Sequence, residues 1–208
     1  DVITIAPNFT QSGVYTDITV EATSGGATAS DTFTLTVTNA NQAPTVEAID
    51  DLTVAENTTL NIAVDADDAD NDDLTYGLAG QPSGITIDTD GLISGTLNYT
   101  SAGVYNIVVT VSDGTDDVEE PFVLTVTNVN RAPAIAAIND VTAAEGDTLN
   151  ISTTAVDPDG TPITYTLAGA PAGITIDANG NIVGTLDFNS AAVYTVTVTV
   201  TSDGQSAD

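Results

Sequence analysis

Apolar residues alternate with polar ones in several short stretches of this chain. In one stretch every second side chain is apolar, at Tyr105, Ile107, Val109 and Val111. A second stretch repeats the pattern with threonine between, at Tyr194, Val196, Val198 and Val200. A period of two is that of a strand with one buried face, and no helical period of useful length is present. About seven such runs in roughly 90 residues, separated by Gly, Pro, Asn and Asp turns, predict an all-β fold of Greek-key β-sandwiches.

The chain repeats itself with an offset of 89 positions, because residues 41–44 recur as 130–133. Residues 33–39 also match 122–128, which lie in the last part of the repeat. A fixed period of this kind marks an array of similar structural units. The sequence therefore predicts three segments, which are the C-terminal half of a preceding repeat at 1–40, a complete repeat at 41–130 and a repeat lacking its last strand at 131–208.

The charge and composition of the chain exclude several classes of function. The 208 residues carry 30 Asp and Glu against one cation, Arg131, for a formal net charge of −29. Such a field repels nucleic acid and anionic membranes, and no apolar run long enough for membrane insertion occurs, so neither is an expected partner. The absence of Cys and His excludes thiolate chemistry, a zinc site with the usual ligands and a histidine-dependent triad. We therefore expect that the chain is not an enzyme. We also expect it to bind a divalent cation that neutralises the acidic groups.

Carboxylates two residues apart precede two of the predicted strands. The first run is Asp68-Ala-Asp70-Asn-Asp72, and Asp157-Pro-Asp159 repeats it in a plainer form. Carboxylate oxygens clustered in a turn are the hard ligands that calcium prefers. The alternative is that these are ordinary solvated turns, because Asp and Asn favour turns without any metal. Calcium is the cofactor that the pattern indicates.

Several motifs resemble those of known repeat families. Residues 78–88, followed by 90–96, are similar to bacterial putative-immunoglobulin repeats, and the motifs at 54–57, 111–114 and 128–133 resemble cadherin repeats, especially dystroglycan-type cadherin-like domains. This resemblance implies tandem immunoglobulin-like or cadherin-like β-sandwiches arranged as a rod, with calcium at the junctions between repeats. It also implies an extracellular or cell-surface location in prokaryotic adhesins and secreted proteins, with neighbouring repeats or copies of the same chain as partners.

The expected strand order places the acidic residues at the two ends of the sandwich. If the strands are lettered A to G, the B–C and F–G loops share one pole with the incoming linker, and the A–B connection lies at the other pole. The junction before the complete repeat would then gather a first acidic set of Asn39, Asn41, Asp68, Asp70 and Asp113. The junction after it would gather a second acidic set of Glu56, Asn128, Asn130, Asp157, Asp159 and Asp203. The second set gives the better-supported assignment of calcium, because a glutamate, an Asp-x-Asp pair and a linker converge there.

These observations favour a non-enzymatic, calcium-stiffened extender of a prokaryotic surface adhesin or extracellular filament. Two alternatives stay open. In the first, the strand at 31–39 of one copy completes the last repeat of the next copy, which would build a head-to-tail fibre. In the second, the chain is an accessory carbohydrate-binding module that binds glycans through exposed aromatic rings. Against the second, strand spacing and equivalence between repeats predict core packing for the aromatic residues Tyr76, Tyr105, Tyr165, Tyr194, Phe9, Tyr99 and Phe188.

Overall fold

A computed structural model describes residues 3–208 of the chain. All regular elements in this range are β-strands, as the period of two predicts. Within the same range, no helix is long and apolar enough to cross a membrane. The chain divides into two compact units, of which the first ends at Asn128 and the second runs Val129–Asp208. The all-β class and the tandem arrangement of units are thereby confirmed.

The first unit begins with a two-stranded antiparallel sheet of β1 (Gly13–Ser24) and β2 (Ala27–Val37). Gly25 and Gly26 connect the strands with φ angles of 59° and 85°, and two consecutive positive φ angles match the twist of a tight hairpin. The stretch 31–39, predicted as a donated strand, lies largely within β2 and pairs there with β1 of the same chain. Strand exchange between copies, and the assignment of 1–40 to a preceding repeat, stay predictions.

The rest of the first unit is a β-sandwich. Its strands are β3 (Thr45–Val46), β4 (Leu52–Ala55), β5 (Thr59–Ala63), β6 (Ala66–Asp67), β7 (Thr75–Ala79), β8 (Thr86–Ile87), β9 (Leu92–Thr96), β10 (Gly103–Ser112) and β11 (Asp117–Thr127). The larger sheet has the order β4-β11-β10-β7, with β4 parallel to β11. The smaller sheet has the order β5-β9-β8, and β3 pairs with β6. The connections from β4 to β5, from β7 to β8 and from β9 to β10 cross from one sheet to the other, as is typical of a Greek-key sandwich.

The sandwich has more strands than the roughly seven that the sequence predicts, because two stretches of the chain, 45–55 and 59–67, each form two short strands. The first is divided into β3 and β4, and the second into β5 and β6. The halves have different partners: β3 pairs with β6, whereas β4 pairs with β11 and β5 pairs with β9. A strand that changes its hydrogen-bonding partner bends between the two, and the bend interrupts the ladder.

The core of the first sandwich lies between its two sheets. Ile107, Val109 and Val111 of β10 are at most 1% exposed, as their alternation predicts. They belong to one cluster with Ile93 of the smaller sheet and Leu124 of β11, both fully buried. Burial of each such side chain stabilises the fold by about 1.5–3 kcal/mol. The strands that carry the acidic loops are therefore anchored in a well-packed core.

The second unit repeats most of this arrangement, although residues 141–144, which correspond to β4, form no strand. Its strands are β12 (Ala134–Ile135), β13 (Thr148–Ser152), β14 (Ala155–Val156), β15 (Thr164–Ala168), β16 (Thr175–Ile176), β17 (Asn181–Thr185), β18 (Thr197–Ser202) and β19 (Gln205–Ala207). They form the sheets β13-β17-β16 and β15-β18-β19 and the pair β12-β14. Ile174, Ile182 and Val198 form the buried core cluster of this unit.

The alternating stretch that begins at Tyr194 forms a strand only from Thr197 onward. Val198 and Val200 are buried as predicted, whereas Tyr194 and Val196 are 40% and 41% exposed. The two neighbours of β18, which are β15 and β19, pair only with residues 197–202. The period of two therefore identifies the apolar face of this stretch correctly. It does not predict how many of its residues the neighbouring strands cover.

Acidification should destabilise the second unit through two loop aspartates. Hydrogen bonds from the side chain and backbone of Asn181 lower the pKa of Asp177. The Ser190 hydroxyl, followed by the backbone N–H of Asn189, lowers the pKa of Asp187 in the same way. A carboxyl group whose pKa is lower in the folded state contributes stability that is complete above its unfolded value of about 3.9. That contribution is lost as the pH falls through the lower folded value.

We expect Asp177→Asn to be less stable than the parent chain at neutral pH and equally stable at a pH well below about 3.9. Thermal melting followed by circular dichroism at the two pH values measures both differences. Asp140→Asn removes the same charge from an exposed loop of the same unit, so it serves as the control and should change stability little at either pH. A stability difference for Asp177→Asn that persists undiminished in acid would contradict the expectation.

Candidate metal centre

The B–C loop of the first unit, residues 68–74 between β6 and β7, is built around Asp68. Its Oδ1 accepts hydrogen bonds from the backbone N–H groups of Asp70 at 2.8 Å and Asp72 at 3.1 Å. Asn71 between them has a φ of 62°, a left-handed conformation that Asn tolerates better than most residues. The backbone therefore wraps around the carboxylate, a local turn that the Asp-x-Asp-Asn-Asp spacing produces by itself.

The same turn recurs at three other aspartates, so the turn alone does not identify a metal site. Asp88, Asp157 and Asp177 each accept backbone hydrogen bonds from the residues two and four positions later. Burial distinguishes the loops, because Asp68 is 6% exposed and Asp157 is 7% exposed, whereas Asp88 is exposed. A buried carboxylate needs a partner for each of its oxygen atoms. If Oδ2 of Asp68 or Asp157 has no partner within the protein, a cation can supply one.

The Oδ2 atom of Asp68 is buried and has no hydrogen-bond partner among residues 3–208. An unpaired charge in such a position costs several kcal/mol unless an ion or donor compensates it. Carboxylate oxygens of Asp68, Asp70 and Asp72 all lie within 4.8 Å of one another. Desolvation, followed by the charges of Asp68, Asp70 and Asp113, raises the pKa of Asp72. These residues therefore fit a divalent cation bound by hard oxygen ligands.

The linker and the F–G loop, residues 113–116 between β10 and β11, reach the same place. The backbone N–H of Gln42 donates to Asp70 Oδ2 at 2.7 Å. The Asn41 side chain donates from Nδ2 to Asp113 Oδ2 and to Asp116 Oδ2, both at 2.9 Å. Backbone N–H groups of Asp116 and Thr115 also bind Asp113 Oδ1 at 2.7 Å, and the bond from Asp116, followed by that from Asn41, lowers the pKa of Asp113.

Four residues of the first acidic set are thus brought together at one pole, and one is not. Asn41, Asp68, Asp70 and Asp113 are connected by direct contacts or by their effect on Asp72. Asn39 is exposed and instead lines a shallow cavity with Pro7, Phe9 and Val37. Asp116 also belongs to the cluster, although the sequence analysis does not predict it. Its position three residues after Asp113 in the same loop could have indicated that it lies there. Whether the cluster binds metal stays a prediction.

The part of the second acidic set that lies in the second unit shows a similar but weaker arrangement. Asp157 Oδ2 is buried, and no group in the described range donates to it. Burial tends to raise the pKa of Asp157, but the hydrogen bonds from Thr161 and Asp159 lower it overall. Asn130 donates from Nδ2 to the backbone carbonyl of Asp203 at 3.4 Å. Residues from the linker, the B–C loop and the F–G loop therefore meet in this unit too.

Arg131 distinguishes the second unit from the first. Its guanidinium group donates to Asp159 Oδ1 from Nε at 2.9 Å and from an Nη2 atom at 2.7 Å, and its backbone N–H donates to Asp159 Oδ2 at 2.6 Å. Thr161 also stands where the first unit has Asp72, and its hydroxyl forms a hydrogen bond with Ser202. These contacts favour the first set over the second as the place for a calcium ion, whereas the sequence favours the second. Calcium binding by either set stays a prediction.

The remaining residues of the second set, Glu56 and Asn128, belong to the first unit. Glu56 lies between β4 and β5, is 3% exposed and accepts a hydrogen bond at Oε1 from the Ala102 backbone at 2.9 Å. Its own N–H donates to the carbonyl of Thr127, which places it beside the exposed Asn128. The convergence of these two residues with Asn130, Asp157, Asp159 and Asp203 stays a prediction.

The aromatic side chains divide into two groups. Tyr76 and Tyr105 pack against the first core and Tyr165 against the second, as predicted. The packing predicted for the equivalent residues Phe9, Tyr99 and Phe188 is wrong, because they are 62%, 38% and 81% exposed. Phe9 and Tyr99 each follow an Asn whose Oδ1 accepts hydrogen bonds from the next Thr, and this turn directs the intervening residue outward.

Comparison with known proteins gives consistent matches over both units. The family described as Putative Ig domain matches residues 43–127 and again 132–208. Chitinase A of Pseudoalteromonas piscicida is 31% identical over 173 residues, which cover 80% of this chain and 21% of that protein. Protocadherin Fat 4 of Homo sapiens is 33% identical over 165 residues, which cover 68% of this chain and 3% of that protein. The chain thus spans at most 21% of the length of either relative.

Solved cadherin structures are similar to the chain in fold. Drosophila N-cadherin EC1-4 has a TM-score of 0.52 and 21% identity, covering 86% of this chain and 51% of that one. The extracellular cadherin domains 1–4 of Protocadherin Gamma B7 have a TM-score of 0.50 and 19% identity, covering 98% of this chain and 57% of that one. Two family matches over most of the chain, together with the observed Greek-key sandwich, show that this chain belongs to the Putative Ig domain family and has a cadherin-like fold.

Proposed function

We propose that this chain is a non-catalytic, extracellular adhesion or extender module whose repeats are stiffened by calcium, as part of a prokaryotic surface or secreted protein. One observation carries the proposal: the buried, unpaired Oδ2 atom of Asp68 faces a site that also collects the carboxylates of Asp70 and Asp72. Three carboxylates held this close in one folded loop repel one another, and this repulsion is unfavourable unless a cation compensates it. Membership of an immunoglobulin-like family, and fold similarity to cadherin ectodomains, support the adhesion role.

Asp68, Asp70, Asp72 and Asp113 would supply the carboxylate ligands. Calcium takes six to eight oxygen ligands and accepts backbone carbonyls and water for the remainder. When bound, the ion would neutralise the cluster and link the B–C loop to the F–G loop. Asn41 and Gln42 already attach the linker to Asp113 and Asp70, so the same ion would stiffen the linker at this pole.

Calcium should raise the melting temperature of the chain, and a chelator should lower it. A ligand that binds only the folded state at ten times its dissociation constant stabilises that state by about 1.4 kcal/mol. Extracellular modules of this kind bind calcium in the range of about 0.1–1 mM. Thermal melting should therefore be compared in chelator and in several millimolar calcium, with magnesium at equal concentration as the control. Magnesium should stabilise less, because it demands octahedral geometry and retains its water. Identical melting curves in chelator and in calcium would reject the calcium part of the proposal.

A carbohydrate-binding role is the second candidate. It is supported by the relative named chitinase A and by the repeated exposure of an aromatic ring at Phe9, Tyr99 and Phe188. Exposed aromatic faces provide large apolar contact surfaces of the kind that sugar rings pack against. Co-sedimentation of the chain with insoluble chitin, compared with the Tyr99→Ala and Phe188→Ala double variant, tests this role. The absence of binding by the parent chain in the presence of calcium would reject chitin as the ligand.

A further inference from the structure

We infer that Arg131 is a built-in cation of the second unit, which holds the B–C loop of that unit (residues 157–163) in the way that we propose calcium holds the B–C loop of the first. The comparison with the first unit rests on the proposed function. The role of Arg131 itself rests only on contacts within the second unit. It gives the two repeats of one chain different dependences on calcium.

Arg131 makes several direct contacts with a buried carboxylate and a loop carbonyl, whereas a typical surface ion pair has one exposed contact. Two guanidinium N–H groups bind Asp159 Oδ1, and a third contact runs from Nη2 to the carbonyl of Pro158 at 2.7 Å. The backbone N–H of Arg131 takes the other oxygen, Asp159 Oδ2. The Asp159 side chain is 3% exposed and that of Arg131 is 30% exposed, so solvent screens the pair only partly. Both carboxylate oxygens and a loop carbonyl are therefore satisfied by one residue of the linker.

The equivalent position in the first unit shows what the arginine adds. Gln42 lies 89 positions before Arg131, and Asp70 lies 89 positions before Asp159. The backbone contact has the same geometry in both units, because the N–H of Gln42 also binds Asp70 Oδ2. The side chain differs: the neutral Nε2 of Gln42 is 3.4 Å from Asp70 Oδ1, a weak contact that supplies no charge. The two loops thus share the backbone hydrogen bond from the linker, but only the loop of the second unit is also contacted by a cationic side chain.

The first unit, which lacks the arginine, also has more carboxylates at this pole than the second unit. The two loops of the first unit at this pole carry six acidic residues, which are Asp68, Asp70, Asp72, Asp73, Asp113 and Asp116. The corresponding loops of the second unit carry three, which are Asp157, Asp159 and Asp203, because Thr161 and Pro162 stand 89 positions after Asp72 and Asp73. A site with fewer negative charges and one internal cation attracts a divalent ion less strongly. We therefore expect the second unit to keep its loop closed in chelator.

A reciprocal exchange, Arg131→Gln in the second unit and Gln42→Arg in the first, tests this inference in the full chain. Amide hydrogen exchange measured by NMR reports each loop separately, through the N–H groups of Asp70 and Asp72 and of Asp159 and Thr161. In chelator, Arg131→Gln should speed the exchange of Asp159 and Thr161 by about tenfold, the effect of losing a partly buried charge-assisted contact. Gln42→Arg should slow the exchange of Asp70 and Asp72 in chelator and reduce their response to added calcium.

Arg131→Lys is the matched control, because it keeps the positive charge but loses the planar fork that makes two contacts with Asp159. It should give an exchange rate between those of the parent chain and of Arg131→Gln. Unchanged exchange of Asp159 and Thr161 in Arg131→Gln in chelator would overturn the inference, whatever calcium does. A lack of calcium response at Asp70 and Asp72 in the parent chain would instead reject the calcium proposal, while the chelator experiment would still decide the role of Arg131.

Discussion

Asp68→Asn is expected to weaken calcium binding by the first unit at least about tenfold, equivalent to about 1.4 kcal/mol. The asparagine retains an Oδ1 acceptor for the N–H groups of Asp70 and Asp72, so the loop should keep its conformation. It replaces the buried, unpaired Oδ2 by an NH₂ group, which is not a calcium ligand. In chelator the sign should reverse, because the substitution removes an uncompensated charge from a buried position. The variant should therefore melt above the parent chain in chelator and below it in saturating calcium.

Isothermal titration calorimetry measures the affinity, and thermal melting in the two buffers measures the reversal. Asp88→Asn provides a matched control, because Asp88 forms the same turn with Asp90 and Leu92 but is exposed and lies outside the cluster. It removes one unit of negative charge without touching the proposed site, so its calcium affinity should remain within about twofold of the parent value. Equal calcium affinities for Asp68→Asn and the parent chain would show that Asp68 is not a ligand.

Gly95→Ala is expected to destabilise the first unit by about 3 kcal/mol or more, which is the largest effect on stability that we predict. Gly95 has a φ of 142°, which is strained for a residue with a Cβ atom. A Cβ at this position would lie 2.1 Å from the carbonyl oxygen of Gly84 and 3.0 Å from Ile85 Cδ1. Backbone strain and overpacking each cost about 1–3 kcal/mol. Relief by movement is restricted, because Gly95 pairs with Leu60 in the smaller sheet and both Leu60 and Ile85 are buried.

Urea unfolding followed by circular dichroism measures this loss. Gly77→Ala is the control within the same unit, since Gly77 has no positive φ and its added Cβ would make an ordinary contact of 3.6 Å with Thr110 Cβ. It should change the free energy of unfolding by less than about 1 kcal/mol. Gly184→Ala should reproduce the Gly95→Ala effect in the second unit, because its Cβ would meet the carbonyl oxygen of Gly173 at 2.1 Å. A stable Gly95→Ala chain would show that the backbone here can relax.

The all-β class, the repeat and much of the acidic cluster could be predicted from the sequence because each depends on local spacing. A period of two identifies the buried face of β10 whatever surrounds it, and Ile107, Val109 and Val111 are indeed buried. The turn at Asp68 likewise needs only hydrogen bonds to residues two and four positions later. The strand order of a Greek-key sandwich then places the B–C and F–G loops at one pole, where Asp70 and Asp113 both act on Asp72.

The tertiary structure decided what each of these residues contacts across longer separations in the chain. Arg131 and Asp159 are 28 positions apart, and nothing in the spacing of either residue indicates that they form a three-point contact. The burial of Asp68 Oδ2 and the exposure of Phe188 also depend on which neighbouring loops cover a side chain, not on its sequence period. Local hydrogen bonds are set by a few neighbouring residues, whereas burial and charge pairing depend on the path of the whole chain. The sequence alone therefore determined that the chain has two similar acidic loops and a single cation, and only the fold revealed that this cation binds Asp159.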